Sequence, residues 1–202
     1  MPSSQRRLGS SSSAKTGSYV KILALCGSLR ARSFSAGLLR AARALAPAGV
    51  DFRIFDGHGQ LPLFNPDLEA DAPVTVWSLW NAVTWADAIV IASPEYAHGV
   101  TGTMKNTLDW LVGHIPFAYK PVAVFNPSYQ SHHADEALKE TLRTMAAELI
   151  ADACVRIPVI GSRVDPDAIA ESTQFAPAIR SALQVVVEHV RRRNAGSLDQ
   201  MA

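Results

Sequence analysis

Only two cysteines occur in the 202-residue chain, Cys26 and Cys154, far apart and each inside an apolar stretch. That count supplies neither a disulfide framework nor a zinc-binding spacing, and it fits two small core side chains in a reducing compartment. An excess of either charge is also missing, since nineteen Lys and Arg stand against eighteen Asp and Glu. Nothing here would steer nucleic acid or an anionic membrane to the protein. No apolar run approaches the ~20 residues of a membrane span, so a soluble, cytoplasmic protein is expected. The dinucleotide fingerprint G-x-G-x-x-G is absent as well, because Gly27 is followed by no second or third glycine. That turn is then a poor fit to a tightly held dinucleotide.

Residues 1–18 are serine-rich with almost no apolar side chains, and a serine run stands where the apolar core of an export signal would follow Arg6-Arg7. We expect a disordered tail there rather than a signal peptide. Residues 19–193 fit one domain, and 194–202 a flexible C-terminus. Within the domain, Tyr19 to Cys26, Val50 to Phe55, Ala88 to Ala92, Lys120 to Phe125 and Ala153 to Ile157 read as short apolar strands. Between and after them, Ser33–Leu45, Pro73–Ala86, Thr103–Val112, Ala134–Ile150 and Ala176–Arg193 read as helices, the last closing on Arg191-Arg192-Arg193. Trp77, Trp80 and Trp85 in the second helix are expected as core or interface anchors. Alternating strands and helices imply an α/β domain, a five-stranded parallel sheet covered on both faces. In the doubly wound order 2-1-3-4-5, ligands bind beyond the carboxyl ends of the strands, between the first and third.

Two loops fall at that position. Gly27-Ser28-Leu29-Arg30 turns the first strand into a helix, where free backbone N–H groups meet the hydroxyls of Ser28, Ser33 and Ser35 and the forked cation of Arg30. This is phosphate chemistry, although serines at a helix start serve equally as plain N-caps. After the third strand, Ser93-Pro94-Glu95-Tyr96 leaves the sheet extended, because Pro94 fixes its own φ and biases Ser93. Tyr96 adds a flat face with a polar tip, suited to an aromatic ring system, while the bland reading is a loop whose Pro and Gly only turn the chain.

Together, GSLRARSFS at Gly27–Ser35 and SPEYAHGVTGTMKNTLDW at Ser93–Trp110 closely resemble the NADPH-dependent FMN reductase family, which includes chromate, quinone and azo-dye reductases. The resemblance implies a flavodoxin-like fold, with the FMN phosphate held by Ser28, Arg30, Ser33 and Ser35, the last standing where the family usually has Asn. It also implies an isoalloxazine ring lined by Pro94, Glu95, Tyr96 and the neighbouring Ala97 and His98, with Ala97 replacing a usual Asn. After the fourth strand the family commonly has a glycine-rich loop. This chain has Asn126-Pro127-Ser128-Tyr129-Gln130-Ser131-His132-His133, which puts Ser128 at the rim. By the same resemblance NADPH (or NADH) passes hydride to flavin N5 and leaves, and a small-molecule electron acceptor takes its place. Adjacent histidines on a loop rarely share one ion and no third ligand is evident, so we assign no metal. Hydride transfer strictly requires no general acid or base, so we assign no catalytic side chain. A flavodoxin-like electron carrier and a non-enzymatic flavin-binding protein are the rival functions, and balanced charge argues against the carrier. Apolar surface at Leu61-Pro62-Leu63-Phe64 and Trp110-Leu111-Val112, with the family habit, points to a homodimer or homotetramer whose cleft is completed across the interface.

Overall fold

A computed structural model describes residues 19–30 and 32–199. The expected tail at residues 1–18 lies outside the described residues. Strand β1 (Val20–Cys26) is buried except at Lys21, and its side chains alternate between two cores. Val20, Ile22, Ala24 and Cys26 face one core, Leu23 and Leu25 the other, as the two-residue period of a strand requires. Helix α1 (Phe34–Ala44) follows, then β2 (Val50–Ile54), α2 (Val74–Trp85) and the fully buried β3 (Ala88–Ala92). A short hairpin, β4 (Glu95–Tyr96) and β5 (Gly99–Val100), leads into α3 (Gly102–Asp109). After β6 (Pro121–Asn126) and α4 (His133–Thr144) come two short strands, β7 (Glu148–Leu149) and β8 (Val155–Arg156), and finally α5 (Ala176–Asp199).

The main sheet is parallel, in the order β2-β1-β3-β6-β7, with β8 also paired to β6. With β7 and β8 counted as one interrupted fifth strand, this is the expected 2-1-3-4-5 winding. Helices α1 and α5 pack on one face around Leu38, Leu39, Phe125, Ile179 and Val186. On the other, α2, α3 and α4 close over Leu79, Val83, Met104, Trp110 and Leu138. Among the described residues no helix is long and apolar enough to cross a membrane.

Four expectations need correction. Helix α4 was expected to reach Ile150 but stops at Thr144, where Ala147 N–H donates to Leu142 O and Ala146 N–H to Arg143 O, both at 2.9 Å. That pair of hydrogen bonds is a Schellman closure, and it puts Ala146 at φ 57°. The released residues Glu148 and Leu149 then pair with β6, a 3₁₀ turn at Ala151–Ala153 interrupts, and only Val155 and Arg156 of the expected fifth strand join the sheet. At the far end α5 runs past Arg193 to Asp199, continuing through Asn194 and Gly196, residues that often end a helix. Finally, Trp110 is not surface. It is fully buried, its Nε1–H donates to Pro62 O at 2.8 Å, and its ring meets Phe64 edge-on. Leu61 and Leu111 are buried too, so of those two stretches only Leu63 and Val112 are exposed.

Candidate functional site

The loops after β1 and β3 touch. Gly27 N–H donates to Ala92 O at 2.9 Å, and the Thr101 hydroxyl donates to Gly27 O at 2.7 Å. A Cβ on Gly27 would sit 2.1 Å from Ser93 Oγ and 3.0 Å from the Ser93 backbone, so only glycine allows the two loops this approach. Below them lies a neutral histidine strut. Cys26 N–H donates to His58 Nε2 at 3.1 Å, which leaves the proton on Nδ1, facing Thr107 Oγ1 at 3.0 Å. Thr107 passes its own hydroxyl hydrogen to Thr103 O at 2.8 Å. Burial holds the His58 pKa down at about 4. The strut therefore fixes the end of β1 to α3 across the switch point, and neither His58 nor Thr107 carried a sequence signal for that role.

Above the loops a cavity of about 470 Å³ opens, within the range of small-molecule sites. Nine of the ten residues expected at the site line it: Ser28, Arg30, Ser33, Ser35, Pro94, Glu95, Tyr96, His98 and Ser128. Ala97 does not. It sits at the tip of the β4–β5 hairpin with φ 48°, beside His98 at φ 58°, a two-residue turn of the left-handed kind usually given to Asn-Gly. Phe34, Gln130, Ser131 and Ile160 complete the wall. Phe34 belongs to the Gly27–Ser35 motif, and Gln130 and Ser131 to the Asn126–His133 loop, yet sequence reasoning singled out none of the three as a site residue; Ile160, beyond β8, carried no sequence signal at all.

The floor on the α1 side has the character of an anion site. Ser33 caps the helix, its Oγ accepting from Ala36 N–H at 3.4 Å, and the first-turn amides that follow have no intrahelical partner. Ser28 Oγ accepts from Arg30 N–H at 3.4 Å and tightens the turn that carries the guanidinium. Ser35 is only 1% exposed, and its Oγ has no hydrogen-bond partner among the described residues. A buried hydroxyl left alone costs roughly 1–3 kcal/mol, which a ligand oxygen would recover. A phosphate fits this donor set: helix amides, an arginine and an orphaned hydroxyl.

The opposite wall is braced by Glu95. One carboxylate oxygen accepts from Ala134 N–H in the first turn of α4 at 2.8 Å, the other from His98 Nδ1 at 3.1 Å. The Ala134 bond, with smaller help from His98 and His133, holds the Glu95 carboxyl below the usual carboxylate range. Both oxygens being engaged, Glu95 orients the hairpin against α4, and Tyr96 is left exposed at the rim. His98 packs edge-on against His133 with ring centroids 4.5 Å apart. The β6–α4 loop is folded by Asn126, whose side chain accepts from Ser128 N–H at 3.0 Å and donates to Ser131 O at 2.9 Å. No cluster of three or more His, Cys, Asp or Glu suited to a metal ion occurs among the described residues.

Comparison with known proteins bears on this geometry. Residues 20–159 match the family model described as NADPH-dependent FMN reductase. An NAD(P)H-dependent FMN reductase of Pseudomonas aeruginosa is 33% identical over 129 residues, 61% of this chain and 69% of that protein. A quinone reductase of Escherichia coli K12 is 34% identical over 109 residues, 52% of this chain and 58% of that protein. Among solved structures, the flavoenzyme NAD(P)H:(acceptor) oxidoreductase FerB of Paracoccus denitrificans superposes with a TM-score of 0.72 at 25% identity, over 86% of this chain and 98% of FerB. An archaeal flavodoxin, at 16% identity and a TM-score of 0.53 over 85% of this chain and 99% of its own, shares the fold.

Proposed function

Because the chain belongs to the NADPH-dependent FMN reductase family, we propose that it holds FMN in the cavity above β1 and β3 and passes electrons from NAD(P)H to small-molecule acceptors. The acceptors are of quinone, azo, metal-oxyanion or flavin type. One observation carries the reading: at the family's phosphate motif, Ser35 presents a buried, unpartnered hydroxyl beside the N-terminus of α1, with Arg30 on the same cavity wall. Bound FMN would supply the two-electron chemistry, taking hydride from NAD(P)H and giving it to the acceptor in successive visits to one cleft.

The chain's own part is to bind and to orient. Ser28, Arg30, Ser33 and Ser35 would grip the phosphate, and the Pro94–Tyr96 backbone with Ser128 would flank the ring. Glu95, fixed to Ala134 and His98, would keep that wall from shifting when the acceptor replaces NAD(P)H. The altered loop at Ser128–His133 is held by Asn126 rather than left open.

Purified protein should be yellow or take up FMN stoichiometrically, and should oxidise NADPH faster when a benzoquinone is added. Flavin binding without NADPH oxidation would favour the electron-carrier reading. A protein that takes up no flavin would remove both. We also propose a homo-oligomer. The support is the exposed Leu63, Val74, Trp77, Val112 and Ile115 on the α2–α3 side, not Trp110. Light scattering with FMN bound tests it, and the mass of a single chain would reject it.

A further inference from the structure

A larger cavity, of about 680 Å³, lies at the opposite end of the sheet. Lys21, Val50, Phe52 and Arg53 line it from the strands, Arg43 from α1 and Trp85 from α2. The two helices approach from opposite faces, so the cavity is a groove along the sheet edge. That edge is β2, which pairs only with β1 among the described strands.

The free edge has a definite phase. Val20 N–H donates to Gly49 O at 2.9 Å, and Phe55 N–H to Ala24 O at 3.0 Å, so residues 49 and 55 turn their backbone groups toward β1. Alternation in a parallel strand gives 51 and 53 the same direction. The N–H and C=O of Val50, Phe52 and Ile54 therefore point outward, symmetric about Phe52.

The side chains share that symmetry. Asp51 and Arg53 flank Phe52 on one face, paired to each other at 2.8 Å, with the Arg53 guanidinium 3.9 Å from the centre of the Trp85 ring. Place a second β2 antiparallel to the first, with the twofold axis at Phe52. Each Phe52 then exchanges both backbone bonds with its mate, and Val50 with Ile54. Asp51 falls opposite Arg53 of the other copy, and Arg53 opposite Asp51, at the non-hydrogen-bonded positions where Cα atoms are about 4.5 Å apart. Opposite charges meet at both positions and like charges at neither. Charges on an edge strand ordinarily block pairing. Here their order, Asp-Phe-Arg, makes the edge complementary to itself.

We propose that β2 is an isologous self-association edge, and that two copies join through antiparallel β2 strands into one continuous sheet, with Trp85 and Arg43 of each flanking the junction. This surface is separate from the exposed apolar residues of the α2–α3 side, and it does not rest on the flavin reading. Its strands are short against the ~1,600 Å² of a standard interface, so association at about ten micromolar and above is the expectation.

Charge reversal tests it on the full chain. In Asp51→Arg, arginine faces arginine at both positions, and sedimentation equilibrium at tens of micromolar should show the mass halved relative to wild type. The double variant Asp51→Arg/Arg53→Asp restores opposite charges in the swapped sense and should restore the mass. A mass unchanged by Asp51→Arg overturns the proposal, as does a loss that the double variant fails to repair while circular dichroism shows both variants folded. Removing residues 1–18 separates the remaining occupant. Wild-type mass that doubles only after the deletion would mean the segment, not a second copy, covers the edge.

Discussion

At Ser35 a hydroxyl is buried without a partner, and the sign of its effect should differ between the empty and the loaded protein. Ser35→Ala removes an unsatisfied polar group, so the FMN-free protein should be about 0.5–1 kcal/mol more stable by urea unfolding, while FMN binds about 0.5–1.5 kcal/mol more weakly. Losses in both would mean that the hydroxyl is satisfied within the protein. Arg30 lines the same cavity and would offer its charge to the phosphate proposed there. Arg30→Ala should weaken FMN binding by about 1.5–3 kcal/mol in a fluorescence titration, the span for charge-assisted bonds. His58 acts on stability instead. Its pKa lies near 4 in the folded chain against an ordinary 6.5, so the unfolded chain binds a proton that the folded chain refuses. Stability is complete above about pH 6.5 and drains as pH falls toward 4, by roughly 3 kcal/mol in all. His58→Gln does not titrate there, so the wild-type advantage over this variant should shrink between pH 7 and pH 4.5. A constant difference across that range would show the strut is not the neutral acceptor of Cys26 N–H.

Elements show where the sequence speaks and where it is silent. Ala146 ends α4 in the left-handed region, a conformation that costs an L-residue roughly 1–2 kcal/mol and glycine almost nothing. Against the extra freedom glycine gives the unfolded chain, Ala146→Gly should still stabilise by about 0.5–1 kcal/mol, read as a higher urea midpoint at unchanged slope. The same residue explains the overrun of α4. An alanine offers no stop signal, and Met145 and Leu149 continue the three- and four-residue spacing of Leu138 and Leu142, which reads as helix until backbone bonds to β6 claim Glu148 and Leu149. Strands β1, β2, β3 and β6 were legible to within a residue or two because buried parallel strands are short β-branched runs between turn residues. The β4–β5 hairpin was not, since Ala97-His98 replaces the Asn-Gly that normally announces such a turn. The site was legible where Gly27, Pro94 and the serines punctuate the chain. It was opaque at Ile160, which reaches the cavity only through tertiary packing.

Over the whole molecule, the cavity joins segments that are distant in sequence: the β1–α1 turn, the β4–β5 hairpin, the β6–α4 loop and Ile160 beyond β8. A ligand that needs all of them binds only the assembled sheet, so its binding free energy adds to the stability of the entire domain. At a free FMN concentration one hundred times Kd the gain is about 2.7 kcal/mol. For a domain of this size each kcal/mol moves Tm by roughly 2–4 °C, so FMN should raise Tm by roughly 5–10 °C in a thermal scan. Riboflavin presents the same ring without the phosphate, and at equal concentration it should shift Tm far less, because the α1 terminus, Arg30 and Ser35 would have nothing to hold. Equal shifts for the two flavins would place the grip on the ring wall at Pro94–Tyr96 and remove the phosphate role from the β1–α1 turn. Flavin bound by its spectrum, with no rise in Tm at all, would mean that binding does not require the four segments to be assembled.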